Sequence, residues 1–272
     1  MKAYIEFGGG LGDIFHQIHT GPGYRYLETL GPERQAHVGL VTHNQRALEL
    51  FQWHPKREFM EVSHYGYWLP EQDREMRAHH AIPPISPISP ISAISPIRYY
   101  PRPDEVVNGL SYTVAVAASA GMPDRTLPQD VLDDVVGAVL TAGWSVMLVG
   151  RSFTRHGRAE IRPSEPELHN CIDMIDRLSV PATAQVVSRC VGLVTCHSAL
   201  NILGWHLRKP QLVLYPESVF ERHFRRPDQW SFGARFRETY HARFDAGSIP
   251  WQGALGLFLQ HLDDPESPAS CS

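Results

Sequence analysis

From residue 111 to residue 215, short apolar runs alternate with stretches of helical periodicity, and no other feature limits the possible folds so strongly. "SYTVAVAAS" has the unbroken hydrophobic character of a strand buried on both faces. "PQDVLDDVVGAVLTAG" then sets Leu132, Val135, Val136, Val139 and Leu140 on one helical stripe. Pro128 suits the start of that helix, where its missing N–H would have no partner anyway, and Gly143 suits its end. "WSVMLVG" (144–150) is the next strand, followed by "PATAQVVSRC" as helix, "VGLVTCH" as strand, "SALNILGWHL" as helix and "PQLVLYP" as strand. Strands separated by helices pair in parallel, so the expected fold class is α/β with a sheet covered on both faces. "WQGALGLFLQHL" (251–262) is a last amphipathic helix, and 264–272 is a polar, disordered tail.

The first hundred residues repeat the theme on a smaller scale. "KAYIEF" is a strand, "IFHQIH" places Ile14, Phe15 and Ile18 on one helical face, and "GPG" (21–23) breaks or kinks that helix. "AHVGLVTH" (36–43) and "EFMEVSHY" are two further strands. Then comes "IPPISPISPISAISPI" (82–97), where recurrent proline forbids helix and removes ladder donors, leaving an extended, polyproline-like path. It is either a hinge or strap between domains or a surface insertion with its isoleucines packed down. A chain of 272 residues can bury two cores. The expected boundaries are 1–103, including an Ile/Ser/Pro-rich connector over 82–103, then 104–263, then the tail.

Composition narrows the partners. Hydrophobic residues make up 43% and charged residues 20%, and a formal charge of -4 gives nucleic-acid binding no support. Cys171, Cys190, Cys196 and Cys271 form no C-x-x-C pair, and Met1 leads into a strand with no leader pattern, so a reduced, cytoplasmic protein is expected. No apolar run approaches the roughly 18 residues of a membrane span. The histidines, 15 in all, include no H-E-x-x-H or clustered Cys/His ligands, so no metal is expected, and "LDD" (132–134) is a solvated helix face.

"FGGGLGDIF" (7–15) resembles a phosphate loop but carries an acid where phosphate would sit. A Walker loop needs Gly-Lys-Ser/Thr, and the third glycine of G-x-G-x-x-G, begun at Gly8, falls on Asp13. A carboxylate at a helix N-terminus repels pyrophosphate docked on the same amides. Asp13 is therefore either a general base facing a neutral hydroxyl, on a loop of Gly9, Gly10, Leu11 and Gly12 that substrate approaches closely, or a helix cap.

Phosphate fits the second half better. Open α/β sheets bind ligands beyond the carboxyl ends of their strands, where this chain has Ser119 to Arg125, Gly150, and His197 to Ala199. Ser198 sits at an N-cap, where helix amides converge on an anion or are simply capped. Arg125 is placed to meet a diphosphate or to form a surface ion pair. Glu217, just past a strand in "YPES", holds a donor ribose or serves structure. Residues 220–244 gather Arg222, Arg225, Arg226, Arg235, Arg237 and Arg243 among aromatics, a mixture that grips polyanions or forms a solvated surface diluted by Glu221, Asp228 and Glu238.

Leu11-Gly12-Asp13 after the glycines, "RTLP" (125–128), and "RKPQLVLYPES" (208–218) closing a strand-turn-helix resemble the family 9 glycosyltransferases, which include bacterial heptosyltransferases. The resemblance spans about the first 45 residues and then roughly 111–218. It implies the GT-B fold: two Rossmann-like domains facing each other, here with a shortened N-terminal domain on the acceptor side and a C-terminal domain for the nucleotide sugar. It implies that Asp13 deprotonates the acceptor hydroxyl and that Arg125 contacts donor phosphate. The family's Asp-Thr-Gly-x-x-His turn falls on His197-Ser198-Ala199-Leu200-Asn201-Ile202, keeping the hydroxyl but departing at His197, Ala199 and Ile202.

The implied activity is metal-independent glycosyl transfer with a nucleotide-diphosphate sugar as co-substrate and no other cofactor. The acceptor (glycan, small molecule, protein or nucleic acid) stays open, as does assembly into a homo-oligomer. Two alternatives remain: a nucleotide-sugar epimerase or hydrolase of the same architecture, and a non-catalytic module binding nucleotide or polyanion.

Overall fold

The structure, a computed structural model, describes residues 3–7, 9–20, 38–42, 44–64, 97–105, 108–154, 157–158, 161–224, 239–245 and 251–264. The proline-rich residues 82–96, the arginine-rich residues 225–238 and the tail 265–272 lie outside these. Two compact units make up the chain: Met1–Val106 with Ser179–Gln185, and Val107–Leu178 with Val186–Ser272.

In the first unit, β1 (Ala3–Phe7), β2 (Val38–Thr42) and β3 (Met60–His64) form a parallel sheet in the order β1-β2-β3. α1 (Leu11–Thr20) follows β1 and buries Ile14, Phe15 and Ile18, the stripe that its spacing predicts. After α2 (Gln45–Glu49), Leu50 and Phe51 join this core, with Phe51 stacked on Phe7 at 5.3 Å between centroids. The chain that emerges from the proline-rich stretch returns to the same core. Tyr99 is buried edge-on to Phe15 at 6.0 Å, and its hydroxyl lies 2.8 Å from His19 Nε2. Burial, aided by the neighbouring His16, lowers the His19 pKa to about 4, so this pair is neutral at pH 7.

A buried carboxylate anchors the segment that rejoins this unit. Glu105 accepts hydrogen bonds from Ser179 Oγ at 2.6 Å, Ser179 N at 3.0 Å and Arg102 Nη2 at 3.1 Å. Ser179 precedes α4 (Val180–Arg189), whose first N–H donates to Glu49 Oε2 at 3.2 Å, so two acids satisfy the start of one helix. Burial works against the Glu105 charge, but the bonds from Ser179 and Arg102 outweigh it and hold the pKa below the usual glutamate value. A depressed carboxylate pKa stabilises the fold fully above the unfolded-state value, and that contribution is lost as pH falls through the folded-state value. Glu105→Ala should therefore cost about 1–3 kcal/mol at pH 7, from donors left without a partner. Thermal midpoints measured down to about pH 3 should show mutant and wild type converging in acid; a gap that is constant with pH would assign the cost to packing instead.

The second unit carries the larger sheet. Its strands β4 (Thr113–Ala117), β5 (Ser145–Leu148), β8 (Cys171–Asp173), β9 (Gly192–Cys196), β10 (Gln211–Tyr215) and β11 (Thr239–Arg243) run parallel in the order β11-β10-β9-β4-β5-β8. β6 (Phe153–Thr154) and β7 (Gly157–Arg158) form a small antiparallel hairpin. β4, β9 and β10 are buried along their whole length, as their apolar runs require. α3 (Gln129–Thr141) packs Val131, Leu132, Val135, Val136 and Val139 into the core, and α7 (Trp251–Asp263) contributes Trp251, Leu255, Phe258 and Leu262. Leu140 lies at the edge of the stripe and is only partly buried. Gly192 in β9 lets α7 approach, since a Cβ there would sit 2.8 Å from the Phe258 ring.

Two expectations are corrected in part. In "LDD" Asp134 is exposed, as expected, but Asp133 is engaged: it accepts from Ser164 N at 2.7 Å and Gln129 Nε2 at 2.9 Å. Burial opposes its charge, yet these bonds hold its pKa below the aspartate norm, and it ties α3 to the chain before β8. The end of the arginine-rich stretch is likewise no solvated surface. Residues 239–243 are the edge strand β11, with Tyr240 and Ala242 buried, and Arg243 is ion-paired.

Candidate functional site

The chain runs from β4 outward through β5 to β8, then returns to place β9 on the other flank of β4 and continues through β10 to β11. Helical connections leave a crevice where the strand order reverses, beyond the carboxyl ends of the two strands that diverge there. That point lies between β4 and β9. The loops emerging beside it are Ser119 to Arg125 and His197 to Ala199, two of the three segments that the sequence singled out.

The β4 loop is closed at its base by Leu127 N donating to Ala118 O at 2.9 Å. Ser119 Oγ donates to Arg151 O at 2.8 Å, which ties this loop to the turn after β5. Gly150 in that turn has φ +120, a conformation that disfavours other residues, and a Cβ there would lie 3.5 Å from Ser119 Oγ. Asp176 steadies the same turn, accepting from Ser152 N at 3.0 Å and from Ser152 Oγ. Burial opposes the Asp176 charge, but the Ser152 bonds and the charges of Arg151 and Arg162 lower its pKa.

Arg125 ends a short 3-10 turn, Pro123–Arg125, and its Nε is covered, with no hydrogen-bond acceptor among the described residues. Its charge reaches the end of β9. Burial pushes the Cys196 thiol up to about 12, and the Arg125 charge and the Thr195 and Ser198 hydroxyls pull against that rise. Arg125 follows β4 and Ser198 follows β9, the two strands on either side of the reversal.

α5 (Ala199–His206) starts at Ser198 with a full capping exchange. Ser198 Oγ accepts from Leu200 N at 3.2 Å, and Asn201 Oδ1 takes Ser198 N at 3.0 Å. The Ser198 hydroxyl also lies 3.2 Å from Thr195 Oγ1, which itself donates to Cys196 O at 3.0 Å. Ser198 and Asn201 thus serve the turn itself, and the amide that α5 presents outward at its first position is that of Ala199. His197 stacks on Tyr215 at 5.4 Å, and the Tyr215 hydroxyl meets His241 Nδ1 at 3.1 Å. Burial raises the Tyr215 pKa, so the phenol stays protonated.

Glu217 opens α6 (Glu217–Phe224), one residue, Pro216, after β10. One carboxylate oxygen accepts from Arg243 Nη1 at 2.8 Å, and the other is covered, with no hydrogen-bond donor among the described residues. Sequence reasoning missed Arg243, Asp245, Tyr215 and His241 as parts of this corner. The available signal was the alternation in "TYHAR", which marks a strand with Tyr240 and Ala242 facing inward.

Asp13 and its glycines belong to the first unit. Gly9 has φ +85, and a Cβ on it would lie 2.5 Å from Asp13 Oδ2. Gly10 N donates to that same oxygen at 2.7 Å, and Ile14 N returns to Gly10 O at 3.1 Å. Asp13 thus makes the backward contact of a third-position helix acid through one oxygen. Among the described residues nothing engages the other. Leu11, Gly12 and Asp13 are half-buried, whereas Gly9 and Gly10 are exposed.

Among the described residues, no three His, Cys, Asp or Glu side chains gather as metal ligands, and no helix is long and apolar enough to cross a membrane. No family model matches the chain, and no curated protein does. Solved structures do. ADP-heptose lps heptosyltransferase II of E. coli superposes with a TM-score of 0.57 over 97% of this chain and 100% of that one, at 14% identity. The E. coli heptosyltransferase WaaC with ADP gives 0.54 over 96% and 100%, at 10% identity. A family 9 glycosyl transferase from Veillonella parvula gives 0.53 over 89% and 85%, at 11% identity. The chain has their fold. The match is one of backbone architecture.

Proposed function

We propose that this protein is a metal-independent glycosyltransferase of the family 9 type, moving a sugar from a nucleotide-diphosphate donor to an acceptor hydroxyl. The observation that supports the reading is the strand reversal between β4 and β9, since the loops that carry Arg125 and the start of α5 follow those two strands. Arg125 and the Ala199 amide bind the diphosphate and stabilise the charge that develops as it leaves. Glu217 takes the donor ribose, and Ser119 and Gly150 shape the adjoining turn. Asp13 accepts the proton of the acceptor hydroxyl as the hydroxyl oxygen displaces the nucleoside diphosphate from the anomeric carbon. Direct displacement inverts that carbon and transfers one proton to Asp13, so the step balances without another reagent.

The fold likeness to two heptosyltransferases supports an ADP-linked heptose as the first donor to try. The test measures release of nucleoside diphosphate from a panel of sugar nucleotides, with and without candidate acceptors. Release that rises with acceptor supports transfer. Acceptor-independent release points to a hydrolase, and interconversion of the sugar without release points to an epimerase.

A further inference from the structure

We propose that Asp176 is a positioning residue for diphosphate binding, which holds the turn after β5 and, through Ser119, the loop that carries Arg125. The inference rests on the reading above that Arg125 meets the diphosphate, and it extends that reading to a residue two strands outward from β4.

β8 lies beside β5, and β5 beside β4, so the loops that leave these strands follow one another along the carboxyl edge of the sheet. Met174 N donates to Leu148 O at 3.0 Å and Asp176 N to Gly150 O at 3.0 Å, which carries the pairing of β8 with β5 past both strand ends. The Asp176 carboxylate then takes Ser152 N at 3.0 Å and Ser152 Oγ. Backbone and side chain of one residue thus grip the turn over 150–152. On the other side of this turn Arg151 O accepts from Ser119 Oγ at 2.8 Å, and Ser119 begins the loop whose base is closed by Leu127 N on Ala118 O at 2.9 Å. Arg125 stands in that loop.

Asp176 has φ +62, in the left-handed region that glycine occupies most readily, so aspartate keeps this conformation at a cost that glycine would avoid. What aspartate adds is the carboxylate. Ser152 is buried, so its N–H and hydroxyl need the partner that Asp176 supplies. Gly150, whose carbonyl takes Asp176 N, is itself at φ +120, and two uncommon backbone conformations are braced against each other. The brace has a fixed base, because Ile175 and Leu178 on either side of Asp176 are buried. A shift of the turn passes to Ser119 through one hydrogen bond, and a guanidinium aimed at two phosphate oxygens tolerates little misplacement.

The full chain is titrated with ADP, GDP, UDP and CDP, and the tightest binder is compared with its nucleoside in each variant. Asp176→Gly, which keeps the backbone conformation and removes the carboxylate, should weaken the diphosphate by about 3-fold to 30-fold and the nucleoside by about twofold or less. Asp176→Asn should stay within about twofold of wild type, since its amide can accept from Ser152 N and donate to the Ser152 hydroxyl. The deciding arm adds Arg125→Ala. Because Asp176 acts through Arg125, Asp176→Gly should cost about twofold or less in that background. A full loss there, or equal weakening of diphosphate and nucleoside, is what a merely structural role gives, and either result overturns the inference while leaving nucleotide binding in place. Unchanged diphosphate affinity in Asp176→Gly overturns it too, as does Asp176→Asn binding as weakly as Asp176→Gly. Ser152→Ala removes one of the same bonds from the other side and must show the same dependence on Arg125, so the test stands even where Asp176→Gly fails to fold. If wild type binds none of the four diphosphates, or if Arg125→Ala binds them as wild type does, the reading beneath falls and this inference with it.

Discussion

Replacing Asp13 with alanine is expected to lower turnover by a factor of about 10²–10⁴, the usual contribution of a positioned general base. Nucleoside diphosphate affinity should stay within about twofold, because a residue acting only on the reacting proton does not bind the ground-state ligand. The loop supports a second route to the same result. Gly9→Ala puts a Cβ 2.5 Å from Asp13 Oδ2, on a backbone at φ +85 that alanine tolerates poorly, so the carboxylate must swing away from the Gly10 amide. Both variants should lose kcat together, one by deleting the acid and the other by displacing it. Normal turnover in Asp13→Ala would reduce the residue to a helix-start contact, and the thermal midpoint would then be the only property it changes.

Arg125→Ala should weaken binding of the preferred nucleoside diphosphate by about 10-fold to 100-fold, the range for losing charge-assisted hydrogen bonds to phosphate. The loss should shrink as salt rises, and Arg125→Lys should recover part of it, keeping the charge but not the two-pronged donor geometry. Calorimetric titration of nucleoside diphosphate, with the nucleoside alone as control, provides the measurement. Equal weakening of both ligands would move Arg125 away from the phosphates and toward a general role in shaping its loop.

Sequence and structure agree most closely where burial dictates periodicity. The runs that became β4, β9 and β10 are apolar on both faces, and the stripe of α3 repeats at helical spacing, so each signals its environment directly. β11 was obscured because it follows a run of arginines and keeps polar residues on one face, as an edge strand does. The N-cap role of Ser198 was readable from its place before the helix. Its contact with Thr195 was not, because that partner is set by how β9 ends. The strand reversal could not be read at all. Helical spacing shows that strands alternate with helices, but it does not say on which flank of β4 the returning strand inserts.

That insertion has a consequence for biosynthesis. β4 is made early, yet one of its neighbours, β9, ends at Cys196, and the sheet is not complete until Arg243. A nascent chain emerging from the ribosome therefore carries a strand that is buried throughout in the finished sheet, with one flank open while the hairpin, β8 and α4 are still being added. Exposed strand edges of this kind invite pairing with other chains. Expression yield in a heterologous host should accordingly depend on chaperone supply and on how fast the region between β8 and β9 is translated.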